Sequence, residues 1–421
     1  MSCLRIPLVV LLLWPCLWAE TPVESAAQAE QLIRSGNSQA ALAVLAKAAA
    51  LPGASAESED RIGFLFAVLG KQTEAVAHFQ KSLSLNADYA SAHYHLGVAW
   101  WLAKNYDQGL PELQSAVKLA PKVFDYRYRL GSAYAETGSY QQAAAELKDA
   151  VALDASNAAA WSVLGQALRQ QGELDAAVDA YAHAVQLDPK NDATRDSYSY
   201  VLIETRHPEQ GIAESRKVLE HKPSDTTAFM NIGYANLKKG DFDGAEKAYR
   251  QALAMDAKLA AAHYDLAIAL KMKDQIEAAQ KELREAIRLE PSMAEAHYTL
   301  GISDWQLGNF PAALEEMRAA IAIRPEYAEA HYMLGIVLKQ SGDLDEAIRE
   351  LKEASRLDPS TPGPWNTLGQ ILRIKGDVPG SKEAFATGAR LKREKEAQLA
   401  NTLEQGMRGG MAPEPLPITP K

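Results

Sequence analysis

The residues best able to do chemistry in this sequence are aromatic, aliphatic and cationic, and they recur at fixed intervals. Tyr94, Tyr128, Tyr264, Tyr298 and Tyr332 are separated by multiples of 34 residues. Four residues past the last three stand Ile268, Ile302 and Ile336, and Tyr234 falls in that same column. Three residues further lies a column holding Trp101, Lys271, Trp305, Lys339 and Arg373. Spacings of four and three place such residues on one face of a helix. The result is an aromatic and aliphatic stripe edged by cations. It suits an extended or helical polypeptide with apolar and some acidic side chains, with Tyr and Trp as anchors. Other uses stay open. The rings of Tyr264, Tyr298, Trp305 and Tyr332 could stack on a polysaccharide, although convergent polar partners such as Gln306, Lys339 and Gln340 are few. The stripe could hold a partner enzyme in trans, or the tyrosines could only fill a tight inner surface.

Histidines supply the other chemistry to test. His93, His263, His297 and His331 share one column. Neighbouring packed helices stand about 8–10 Å apart, whereas a zinc–nitrogen bond measures about 2.0–2.1 Å, so one ion cannot collect these rings. His93 and His95 point to different sides of a helix. The histidines are read as packing residues, with no metal and no cofactor expected. Cys3 and Cys16 are the two cysteines of the chain, which excludes a disulfide framework or a cysteine metal site from everything after them. No Gly-rich phosphate loop, H-E-x-x-H or G-x-S-x-G occurs.

What must position these columns is a repeat. Gly63, Gly97, Gly131, Gly165, Gly233, Gly301, Gly335 and Gly369 lie on one grid of 34, and Ser199 and Ala267 occupy its two points without glycine. A second small column follows twelve residues on, as at Ala75, Ala143, Ala177 and Ala245. Pro121, Pro189, Pro223, Pro291, Pro325 and Pro359 close their units. The grid gives eleven units over 22–395 without insertion or deletion. Apolar periodicity predicts two amphipathic helices in each, parted by a pair such as Gly342 and Asp343. Small columns let the helices approach closely, and the proline ends the second helix.

These columns resemble the tetratricopeptide repeat signature. Trp161 or Trp365 stands at the fourth place, leucine at the seventh and glycine at the eighth. Tyr134 fills the eleventh, Ala177 the twentieth, Tyr181 the twenty-fourth, Ala184 the twenty-seventh and Pro189 the thirty-second. The resemblance covers 22–395 and implies an all-α, right-handed superhelical solenoid of antiparallel helix pairs. It further implies that the first helix of each unit lines an inner groove through its second, fifth, ninth and twelfth places. The candidate groove residues are therefore Tyr94, Trp101, Tyr128, Tyr234, Tyr264, Ile268, Lys271, Tyr298, Ile302, Trp305, Tyr332, Ile336, Lys339 and Arg373. The family's carboxylate clamp, with lysine at the fifth place and asparagine at the ninth, is absent, because tyrosine holds the fifth. Units 22–55 and 192–225 depart most from the pattern. The latter has Ser199 and Arg206 at glycine columns, read either as drift or as a softer joint.

Composition sets the outer bounds. The 421 residues carry a net charge of −10, which disfavours non-specific grip on nucleic acid. Arg5 precedes an uncharged apolar run from Ile6 to Ala19. That run is shorter than the ~20 residues of a spanning helix and suits a secretory signal cleaved near Ala19. Cys16 leaves a lipid anchor open, although Trp14 and Pro15 stand where small residues usually precede such a cysteine. The expected order is a signal peptide (1–19), the repeats (22–395), a capping helical extension (391–405) and a disordered proline-rich tail (406–421). The remainder outside the repeats leaves no room for a catalytic domain. The sequence thus predicts a non-enzymatic protein exported to the periplasm or beyond, with no transmembrane span once the signal is removed. Its partner would be a protein or peptide, with polysaccharide binding or regulation of a partner enzyme as alternatives.

Overall fold

The computed structural model describes residues 21–408. The expected signal segment and the chain past 408 lie outside the described residues. The fold is all-α, and no strand occurs among the described residues. The chain divides into two compact units, Met1–Val201 and Leu202–Lys421. The first holds the helix pairs α1 (Pro22–Arg34) and α2 (Ser38–Ala48), α3 (Ala56–Val68) and α4 (Gln72–Leu85), and α5 (Ala90–Leu102) and α6 (Tyr106–Leu119). It continues through α7 (Phe124–Glu136) and α8 (Tyr140–Leu153), α9 (Ala158–Gln170) and α10 (Leu174–Leu187), and most of α11 (Asp192–Glu204). The second unit begins late in α11 and holds α12 (Pro208–His221), α13 (Thr226–Lys239) and α14 (Phe242–Met255), and α15 (Ala260–Met272) and α16 (Ile276–Leu289). It ends with α17 (Ala294–Gln306) and α18 (Phe310–Ile323), α19 (Ala328–Ser341) and α20 (Leu344–Leu357), and α21 (Pro362–Ile374) and α22 (Val378–Arg408). The final helix runs on through 391–405, so residues 406–408, read from sequence as part of the tail, are helical.

The glycine grid explains why the pairs close so tightly. Each glycine at the eighth place faces the large residue sixteen positions later on the partner helix. A Cβ on Gly233 would lie 2.5 Å from the Tyr249 ring, and one on Gly165 would lie 2.9 Å from Tyr181. Leu113, Leu147 and Leu351 fill the same notch opposite Gly97, Gly131 and Gly335. At these glycines a Cβ would collide with the knob unless the partner helix shifted, so glycine permits the closest approach.

The turn between paired helices has a second fixed demand. Its residue is left-handed in all eleven pairs: Gly36, Gly70, Gly138, Gly172, Gly240, Gly308, Gly342 and Gly376, but also Lys104, Arg206 and Asp274. The last three hold a conformation that ordinarily favours glycine.

Within each unit the first helices of successive pairs touch one another, as α3 touches α5 and α17 touches α19. Second helices pack against the first helix that follows, as α14 does on α15. Among the described residues no comparable contact joins successive second helices, so the first helices form the inner side of each stack.

Candidate functional site

Almost every residue of the candidate groove is half-buried, as a wall that is both packed and reachable should be. In the second unit the fifth-place tyrosines lean on the next pair. Tyr264 packs on the apolar cluster that includes Ala296 and Leu300 of α17, with its hydroxyl near Thr299. Tyr298 meets Tyr327 with ring centroids 5.0 Å apart. Tyr332 lies against Gly363, where a Cβ would come within 2.8 Å of its ring. Burial raises the phenol of Tyr264 and pushes that of Tyr298 up to about 12, so both stay neutral hydrogen-bonding groups. Tyr327 was not in the sequence-derived set because it closes one unit rather than opening the next. Arg324 lies 4.6 Å over its ring and pairs with Glu295. Ile302 joins the apolar wall around Leu334 and Met317. Ile268 helps line a cleft of about 360 Å³ with Leu237, Phe242 and Met272. Ile336 is half-buried on α19.

The cationic edge divides by what answers each charge. Lys238 sits 5.1 Å over the Tyr234 ring and 3.5 Å from Glu204, which also accepts from the Tyr234 hydroxyl. Lys339 donates to the neutral side-chain oxygen of Gln370, and the Trp305 indole donates to Gln340 at 2.5 Å. The side chains of Lys271 and the exposed Arg373 make no hydrogen bond or ion pair among the described residues. Burial pushes the Lys271 amine down to about 8. On the same helix, Asp265 likewise has no partner among the described residues, and burial pushes its carboxyl up to about 6.

The first unit arranges similar residues differently. Asp60, 5% exposed, accepts from the Ser91 hydroxyl at 2.7 Å and faces His95 Nδ1 at 2.8 Å. The His95 ring lies between Phe64, at 5.2 Å, and Phe79, at 5.4 Å. Serine, histidine and aspartate meet here, but the hydroxyl is bound to the carboxylate and lies 3.5 Å from Nδ1, the nitrogen already turned to Asp60. No base is thereby positioned to activate the serine. Tyr94 stacks on Tyr126 at 4.7 Å, and Tyr128 on Phe124 at 5.6 Å. Trp101 is only 4% exposed. Its indole donates to Glu136 at 2.6 Å beneath Arg129, so it braces the wall rather than presenting a face. Phe64, Asp60 and Tyr126 were missed by the sequence reading. Phe64 was findable, since it stands 34 residues before Val98 at the same ninth place.

The fourth-place histidines do more than pack. His93, His263, His297 and His331 each set Nδ1 2.5–2.6 Å from a glutamate nineteen residues on: Glu112, Glu282, Glu316 and Glu350. Each Nε2 faces the carbonyl oxygen six residues back, at 2.9–3.3 Å. Trp161 donates its indole N–H to the equivalent carbonyl, of Ala155, at 2.9 Å. Imidazole therefore takes over the tryptophan hydrogen bond and adds a tie to the second helix. Among the described residues no cluster of three or more histidine, cysteine or acidic side chains could hold a metal ion.

With this geometry in place, similarity to known proteins identifies the lineage. Tetratricopeptide repeat family models match residues 128–192, 200–260, 298–362 and 332–394, and others match 236–303 and 65–102. The chain belongs to the tetratricopeptide repeat family, as its sequence columns implied. No curated protein matches the full sequence significantly. Among solved structures, a tetratricopeptide repeat protein from Parabacteroides merdae shares the fold, with a TM-score of 0.52 at 12% identity, over 59% of this chain and 98% of that one. MamA is 27% identical over 39% of this chain and 97% of its own, with a TM-score of 0.38. YrrB, described as having an unusual peptide-binding site, is 21% identical over 44% of this chain and 96% of its own, with a TM-score of 0.38.

Proposed function

We propose that this chain is an exported, non-enzymatic scaffold that holds a polypeptide against the first helices of its second unit, in envelope assembly or secretion. One observation carries the reading: Tyr264, Tyr298 and Tyr332 stand half-buried on successive inward helices beside Ile268, Ile302 and Ile336. Rigid aromatic faces flanked by aliphatic ones bind peptide side chains at low entropic cost. Export is supported by the apolar run from Ile6 to Ala19. No helix among the described residues is long and apolar enough to cross a membrane.

The test is a pull-down from envelope extract with the mature chain beside a Tyr264→Ala, Tyr298→Ala, Tyr332→Ala variant of matched circular dichroism. Specific protein capture by the first and loss by the second is the expected result. Equal capture by both would reduce the tyrosines to filler. Retention on polysaccharide resin in place of protein capture would move the groove to a carbohydrate role.

A further inference from the structure

The cations around the second unit's groove are not equivalent. Lys239 pairs with Glu209, Lys273 with Asp243 and Glu246, and Lys375 with Asp345. Those lysines sit in or beside the turns, and the chain supplies their carboxylates. The twelfth-place cations Lys271, Lys339 and Arg373 find no carboxylate within ion-pair distance among the described residues. They share one register position on α15, α19 and α21, so they line one edge of the groove. Trp305 holds that position on the intervening α17.

A half-buried amine without a counter-ion is unfavourable in the free protein and favourable ground for an incoming anion. We propose that this edge receives an acidic segment in a polyproline-II-like conformation, with one carboxylate on each of Lys271, Lys339 and Arg373 and an apolar side chain on Trp305. The proposal rests on the groove reading above and specifies its ligand. The conformation follows from spacing. α17 touches α19 and α19 touches α21, and packed helices stand about 8–10 Å apart. A polyproline-II chain rises about 3.1 Å per residue with three residues per turn, so every third side chain returns to the same side about 9 Å on. The matching pattern is acidic, apolar, acidic, acidic at every third residue. An ordinary β-strand would turn alternate members of that pattern away.

The net charge of −10 opposes any acidic ligand at long range, so retention must come from these local cations. The probe is a fluorescein-labelled decapeptide, Asp-Pro-Pro-Leu-Pro-Pro-Asp-Pro-Pro-Asp, with a control carrying Asn for every Asp. Both are titrated by fluorescence anisotropy against the full chain. Expected is binding of the acidic probe at least tenfold tighter than the control, with the gap shrinking in high salt. The gap should vanish in a Lys271→Met, Lys339→Met, Arg373→Gln variant, and Arg373→Gln alone, at an exposed position, should already narrow it. Equal binding of both probes, unchanged in the variant, would overturn the carboxylate assignment while leaving a peptide groove. Binding of neither probe would overturn it as well. The tyrosine pull-down separately decides whether the groove binds polypeptide.

Discussion

In the first unit Asp60 is enclosed by Ser91 and His95, and Trp101 is pinned between Glu136 and Arg129. In the second, Asp265 and Lys271 sit on one helix with no partner among the described residues. Both inner faces descend from the same repeat, yet the Asp60 cluster answers its charge internally while the side chains of Asp265 and Lys271 do not. A buried polar network that is complete rigidifies its surroundings, whereas an incomplete one is a standing cost unless something else completes it. Under the function proposed above, the difference separates a cluster that braces the stack from one left open to a ligand.

The sharpest way to break this comparison is to remove one aspartate from each side. Asp60→Ala leaves Ser91 and His95 without their acceptor in a buried site and should cost about 3 kcal/mol, read from denaturant melts. Asp265→Asn should instead raise the melting temperature at pH 7. The sign follows from proton linkage. Folding lifts the Asp265 carboxyl from 3.8 to about 6, so its favourable contribution is full below 3.8 and disappears as pH rises through 6. The Asn variant should lack that decline, and a loss of stability at pH 7 would show that Asp265 has a partner after all.

Tyr249 offers a smaller test of the same idea. Its hydroxyl is fully buried with no hydrogen-bond partner among the described residues. Tyr249→Phe should therefore gain about 1 kcal/mol, and a loss would reveal a bound water or ligand group. His331 sharpens the comparison from the other direction, since it is a completed pair within the second unit. The hydrogen bond to Glu350 raises its imidazole above the ordinary value of 6.5. Its contribution is full below that value and fades as pH climbs through the raised one, so His331→Gln should cost most in mild acid and least in alkali, read from melts across pH 5–9. Smallest are the turns, which should not distinguish the units at all. Lys104→Gly in the first and Asp274→Gly in the second should each gain about 0.5–1 kcal/mol by relieving a left-handed backbone.

Much of this architecture could be read from residue spacing. A grid of glycines requires a partner column, and the large residues at Tyr181 and Tyr249 are where that requirement lands. What could not be read was the pairing of polar groups. The histidine column is obvious in sequence, but its glutamates lie nineteen residues away across a turn, where no single-helix periodicity points. The groove residues were legible as a stripe. Their accessibility was not, because Trp101 and Lys271 occupy one register position and only packing buries the first behind Glu136 while leaving the second without a counter-ion. Lys104, Arg206 and Asp274 were likewise hidden, since a non-glycine residue in a glycine column does not disclose that the backbone keeps its glycine-like angle.

Those three turns carry one more consequence. Two of them present a basic side chain on an exposed, sterically disfavoured bend between paired helices, at Lys104 and Arg206. A trypsin-like protease needs just such a basic residue on a bend that opens locally. Cutting at Lys104 would part α5 from α6 in the chain without disturbing the interface that holds them. The nicked chain would remain assembled until denaturant was added, and its fragments would then report which pair had opened first.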